Sequence, residues 1–148
     1  MTWSTGEPVT RDTAPAMARN LELADEVFAA IARRDLDRLL ELTDPDVEWY
    51  SFFAQLGEGG VYRGHAGTER YIADLSDAWE ISRVEMDDTI AIGDVVLGVG
   101  RLRYKGRGSG VETGEPAGWI LKFRSRRVLL FRAFRDPERV LSEVGRRD

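Results

Sequence analysis

The chain has 148 residues, 43% of them hydrophobic and 32% charged, which suits one compact domain and excludes a disordered or fibrous polymer. It has no cysteine and a single histidine, His65, which excludes disulfides, thiol nucleophiles and Cys- or His-rich metal sites. The net charge of −5 is divided unevenly: residues 1–100 carry 8 Lys/Arg against 20 Asp/Glu, and residues 101–135 carry 10 against 2, a split that marks either an anionic partner or two surfaces that meet in an oligomer.

Residues 1–13 read as a flexible leader, with Gly6 and Pro8 as breakers and no apolar run of the kind a signal peptide needs. One domain is expected over residues 14–148. Its first helix carries Met17, Leu21, Ala24, Phe28 and Ile31 at steps of three and four. Asp35 is placed to cap a short second helix with Leu36, Leu39 and Leu40 inward, ended by Asp44-Pro45. Val47 to Phe53 is β-branched and aromatic and reads as a strand. A loop with Gly57, Gly59, Gly60 and Gly64 follows, then a third helix with Ile72, Leu75 and Trp79.

Four strands are expected next, near residues 82–92, 95–104, 111–123 and 127–135. Gly93-Asp94, residues 105–110 and Ser125-Arg126 form the turns between them. A terminal helix has Asp136 as its N-cap and Pro137 in its first turn, and Gly145 follows it. The most apolar stretch, residues 90–100, is short and contains Asp94, so no membrane span is expected and a cytoplasmic location is the default. Helices that do not alternate with strands indicate an α+β fold with a mostly antiparallel sheet.

Three segments carry a resemblance to a known family. They are Asp44-Pro45-Asp46-Val47-Glu48-Trp49, Val61-Tyr62-Arg63-Gly64-His65-Ala66-Gly67 and Phe134-Arg135-Asp136-Pro137-Glu138-Arg139. With the order of elements, they make the chain resemble the SnoaL-like branch of the nuclear transport factor 2-like superfamily, from about Ala14 to Gly145. The resemblance implies a cone. A strongly curved mixed or antiparallel sheet wraps against three helices of the N-terminal half, a short helix closes the chain, and a pocket lies inside. It does not name a reaction, because the fold hosts isomerases, epoxide hydrolases, dehydratases, cyclases and non-catalytic binders.

The catalytic sets of those relatives do not carry over. Ketosteroid isomerase works with an Asp base and an oxyanion hole of Tyr and protonated Asp. Those positions fall on Trp49, near Val27 and on Trp119 here. The last-strand acid of the epoxide hydrolases and cyclases falls on Ala133 or a neighbour. The register implied by the resemblance points Val47, Trp49, Ser51 and Phe53 into the cone. It also points in Val96, Gly98, Gly100 and Leu102, then Ala117, Trp119, Leu121 and Phe123, then Phe131, Ala133 and Arg135.

The expected ligand-binding residues are therefore Val27, Trp49, Ser51, Phe53, Leu75, Trp119, Leu121, Phe131 and Arg135, around a small apolar or aromatic molecule, with no cofactor and no metal. Trp49 and Trp119 either clamp a planar ligand or fill the cone as core. His65 is a candidate base at the mouth or an orienting residue for the third helix. Glu48 and Tyr50 flank the relatives' base position and point outward unless the register slips by one. Arg135 either binds an anionic group or pairs with Asp136 or Glu138.

Arg101, Arg103, Lys105, Lys122, Arg124 and Arg132 fall on the convex face around Leu97, Val99, Ile120, Val128, Leu130 and Phe134. An apolar centre with a charged rim reads as a homodimer interface rather than a nucleic-acid surface, because no aromatic ladder accompanies the basic residues. Asp87-Asp88 sit on opposite faces of a strand and do not form a metal pair.

Overall fold

The computed structural model describes residues 13–51 and 61–145. Residues 1–12 of the expected leader, Phe53 and the glycines at 57, 59 and 60 lie outside the described residues, and Thr13 already belongs to the first helix. The elements are α1 (Thr13–Arg33), α2 (Leu36–Leu42), β1 (Thr43–Tyr50), β2 (Val61–Arg63), α3 (Gly64–Ala78), β3 (Trp79–Ile92), β4 (Val95–Gly106), β5 (Glu112–Arg124), β6 (Arg127–Phe134) and α4 (Pro137–Gly145). One six-stranded sheet runs in the order β2-β1-β6-β5-β4-β3. β1 lies parallel to β6 and every other pair is antiparallel, so the sheet is mixed. Curled around α1, α2 and α3, it makes the expected cone.

Local rules account for most of the boundaries. Asp35 caps α2 by accepting from Arg38 N at 3.2 Å. Thr43 Oγ1 donates to Leu39 O at 2.7 Å where that helix ends. Asp136 Oδ1 accepts from Glu138 N at 3.0 Å and starts α4. Ser125 and Arg126 both take positive φ, 52° and 67°, the handed turn that a two-residue hairpin needs between β5 and β6.

Other features depart from the sequence reading. The third helix ends at Ala78, and Trp79 opens β3 opposite Gly106. There Trp79 packs edge-on against Tyr104, 4.7 Å between ring centres. β2 was not expected. Three residues are too few for a periodic signal, and they form a strand because β1 offers a free edge. On α1 the buried line runs through Asn20, Ala24, Val27 and Ile31, with Met17, Leu21 and Phe28 half-buried beside it.

A register shift between Lys122 and Phe123 pairs Phe123 with Val128. That bulge turns Val128 into the main core, fully buried, instead of onto the convex face where alternation placed it. A second bulge lies between Met86 and Asp88, opposite Val99 and Gly100. A Cβ at Gly100 would stand 2.1 Å from Glu85 O, so glycine there lets β3 fold sharply over β4.

The convex apolar residues are not simply left open. Val95, Leu97, Ile120 and Phe134 form a second cluster that α4 covers through Val140. Gly118 makes this possible, since a Cβ there would meet Val140 Cγ2 at 2.4 Å. The basic strands also find their partners within the chain. Arg103 pairs with Glu85 at 2.7 Å, Lys105 with Glu80 at 3.6 Å, Arg83 with Glu112 at 2.9 Å and Arg124 with Asp44 at 2.8 Å. The charge division along the sequence is thus drawn together across strands of one molecule.

Candidate functional site

The inward phase of β1, β4, β5 and β6 lines the cone with Val47, Trp49, Val96, Leu102, Ala117, Trp119, Leu121, Phe131 and Ala133, all buried. α1 closes one side with Val27 and Ile31, and α3 another with Tyr71 and Leu75. Alternating aromatic rings fill much of this space. Trp49 is wholly buried, stacks on Tyr71 at 4.8 Å and meets Phe131 at 4.9 Å. Phe28 packs edge-on against Trp119 at 5.6 Å and Phe131 at 5.7 Å. Trp49 Nε1 donates to Thr68 Oγ1 at 2.8 Å, and Thr68 Oγ1 donates to Gly64 O at 3.0 Å. The indole N–H is thereby spent inside the wall.

A cavity of about 30 Å³ remains, lined by Phe28, Ile31, Ser51, Tyr71, Leu75, Ser82, Arg83, Val84, Leu102, Trp119, Phe131 and Ala133. That is room for two or three waters at roughly 10–15 Å³ each. Beside it, between α1 and β3, lies a groove of about 250 Å³ bounded by Asp25, Phe28, Ala29, Ala32, Arg83, Val84 and Met86. Phe28, Arg83 and Val84 belong to both spaces.

Of the expected binding residues, Ser51, Leu75, Trp119 and Phe131 line the inner cavity, and Val27, Trp49 and Leu121 lie in the core around it. Arg135 follows β6, and its Nη2 donates to Glu115 at 3.0 Å. His65 is half-buried away from the cavity. Its Nε2 lies 3.1 Å from Thr43 O, and because a carbonyl only accepts, this nitrogen carries a proton. Glu48 and Tyr50 occupy the outer face. Tyr50 Oη donates to Glu48 at 3.2 Å, and Arg63 Nε donates to the other Glu48 oxygen at 3.2 Å.

The concave side also holds polar groups that the sequence reading passed over: Ser82, Tyr71, Tyr104 and Glu115. Tyr104 Oη donates to Glu115, and burial followed by that hydrogen bond pushes the Tyr104 phenol up to about 12. Burial first, and then a 2.6 Å hydrogen bond to Asp74, does the same for Tyr62. Burial alone is the leading cause of the rise at Tyr71. The signal for Tyr104 and Glu115 was present, since each lies two residues from an inward residue, Leu102 or Ala117, on its own strand. Among the described residues no group of three or more His, Asp or Glu is gathered to hold a metal ion. Among the described residues no helix is long and apolar enough to cross a membrane.

A family model for the SnoaL-like domain matches residues 24–131. Among solved structures, the chain is similar to a nuclear transport factor 2-like protein of unknown function from Burkholderia pseudomallei, at 23% identity. That match covers 84% of this chain and 95% of the other, with a TM-score of 0.70. It is also similar to TerC co-crystallised with polyporic acid, at 22% identity over 86% of this chain and 98% of that one, TM-score 0.69. An epoxide hydrolase of M. tuberculosis resembling limonene epoxide hydrolase aligns at 14% identity over 88% and 92%, TM-score 0.67. These likenesses establish the fold. No curated protein matches the chain.

Proposed function

Because this chain belongs to the SnoaL-like domain family, we propose that its cone binds a small, largely apolar or aromatic molecule that reaches the interior between α1 and β3. One observation carries the reading: the inner cavity and the outer groove share Phe28, Arg83 and Val84. Phe28 is half-buried, and turning its ring aside joins the cavity of about 30 Å³ to the groove of about 250 Å³, close to the roughly 300 Å³ at which small-molecule sites begin. The reading assigns binding without a cofactor. An isomerase, cyclase or hydrolase step is the next question, because the relatives' acids are replaced by Trp49, Trp119 and Ala133.

A thermal-shift panel of steroids, aromatic lactones, terpenoid epoxides and aromatic acids tests this, with polyporic acid included because a neighbour of the same fold was crystallised with it. A ligand at about 100 times its Kd adds about 2.7 kcal/mol. The expected result is a shift confined to one class, strengthened in Phe28→Ala and abolished by Ala29→Trp, which fills the groove. No shift in either the wild type or Phe28→Ala overturns the reading.

The outer face supports a second copy of the chain. α4 covers only part of it, and Val99 and Leu130 stay half-buried beside Lys122 and Arg132, an apolar centre with a charged rim. A dimer in sedimentation equilibrium that Leu130→Arg dissociates is the expected outcome. A monomer at all concentrations removes this reading.

A further inference from the structure

Leu102 and Ala133 line the inner cavity. Two residues beyond Leu102 on the same face of β4 stands Tyr104, and two residues beyond Ala133, just past the end of β6, stands Arg135. Glu115 is the cross-strand partner of Leu102, and Tyr104 that of cavity-lining Ser82. The three side chains therefore form the next layer outward on the concave side. Tyr104 Oη donates to one oxygen of Glu115, and Arg135 Nη2 donates to the other at 3.0 Å.

Two donors, one on β4 and one just past the end of β6, thus converge on one carboxylate that β5 supplies. A phenol and a guanidinium aimed at one point make a recognition geometry for a carboxylate or an enolate oxygen. The side chains of Glu115 and Arg135 are 28% and 35% exposed, so the glutamate can swing out and keep its carboxylate hydrated. Trp79 packs edge-on against Tyr104 at 4.7 Å and supplies an apolar flank beside the donors.

We propose that Tyr104 and Arg135 are the anion-recognition end of the cone, held by the Glu115 carboxylate until a ligand anion displaces it. The ligand is then an apolar or aromatic molecule with a carboxylate or enolate at one end. This rests on the reading of the cone as a binding site and narrows the class of molecule it takes. Glu115 acts as an internal competitor, so removing its charge releases the hydrogen bonds that both donors make to it and also removes a like charge that repels the ligand.

The test is isothermal titration of 2-naphthoate and its neutral amide, 2-naphthamide, into the wild type, Glu115→Gln, Glu115→Ala and the double variant Glu115→Ala/Arg135→Met. Hydrogen bonds to charged groups are worth enough to predict a naphthoate Kd about tenfold lower in Glu115→Ala, with the amide changing less than about twofold. Glu115→Gln keeps the side chain's volume and is expected to gain less, in the same direction. The double variant is expected to lose the gain. Equal gains for acid and amide, or a gain that survives without Arg135, overturn the proposal and leave the pocket reading intact. Binding of neither probe to any of the four proteins overturns both.

Discussion

At the scale of single residues, the polar groups in the wall of the cone decide whether its aromatic filling is tolerated. Trp49 is wholly buried and Thr68 Oγ1 accepts its indole N–H. An orphaned buried donor costs the full desolvation of that group. Thr68→Val is expected to cost roughly 2 kcal/mol in denaturant unfolding with an unchanged m-value, and Thr68→Ser, which keeps the oxygen, distinctly less. Tyr62 provides a second case. Burial and Asp74 push its phenol up to about 12, while the unfolded chain titrates near 10. Above pH 10 the unfolded state releases a proton that the folded state retains, so stability present below pH 10 is lost as pH rises towards 12. Tyr62→Phe is expected to flatten that decline in unfolding measured from pH 9 to 12. Tyr104, raised for the same reasons, keeps part of the slope in place. An unchanged slope in Tyr62→Phe contradicts the assignment.

At the scale of elements, α4 is the piece whose role the sequence left most open. Its caps are local and legible: Asp136 accepts from Glu138 N, and Pro137 suits a first turn. Where it docks is decided by Gly118 on β5, a strand distant in sequence, because any Cβ there collides with Val140. Gly118→Ala is expected to destabilise by roughly 1–3 kcal/mol through overpacking, and to expose the outer cluster to a dye that binds apolar surface. Stability within about 0.5 kcal/mol of wild type places α4 elsewhere in solution. The same contrast holds for β2. Its three residues are strand only because β1 lies alongside, with Trp49 opposite Tyr62.

At the scale of the whole molecule, charge is the organising quantity. The acidic first two-thirds and the basic strands pair across the sheet, and the longest-range of these pairs joins the start of β1 to the end of β5. Arg124 Nε and Nη2 donate to the two oxygens of Asp44 at 3.1 and 2.8 Å, and Nη2 also reaches Asp46 at 3.1 Å. Those hydrogen bonds hold the Asp44 carboxyl below its ordinary range. A depressed pKa contributes stability above that range, and the contribution disappears as pH falls through it. Arg124→Met is thus expected to be less stable than the wild type at neutral pH, with the gap closing below about pH 4. A gap that persists undiminished at pH 2 assigns the loss to packing instead.

The sequence by itself determined the order of the elements apart from β2, the α+β class, the caps at Asp35 and Asp136 and the turn at Ser125-Arg126. Each of these is set by residues within one or two turns or strand repeats of each other, so a periodicity of two or of about 3.6 suffices to read it. Only the tertiary structure decided which side of the sheet Val128 occupies, because a single bulge reverses the alternation. It also decided that Trp79 begins a strand, that α4 covers part of the outer face, and that Arg135 reaches Glu115 on β5. The convergence of Tyr104, Glu115 and Arg135 depends on the pairing of β4, β5 and β6 and on the curl of the sheet. Contacts between strands twenty residues apart follow from register and curvature, which no local pattern encodes.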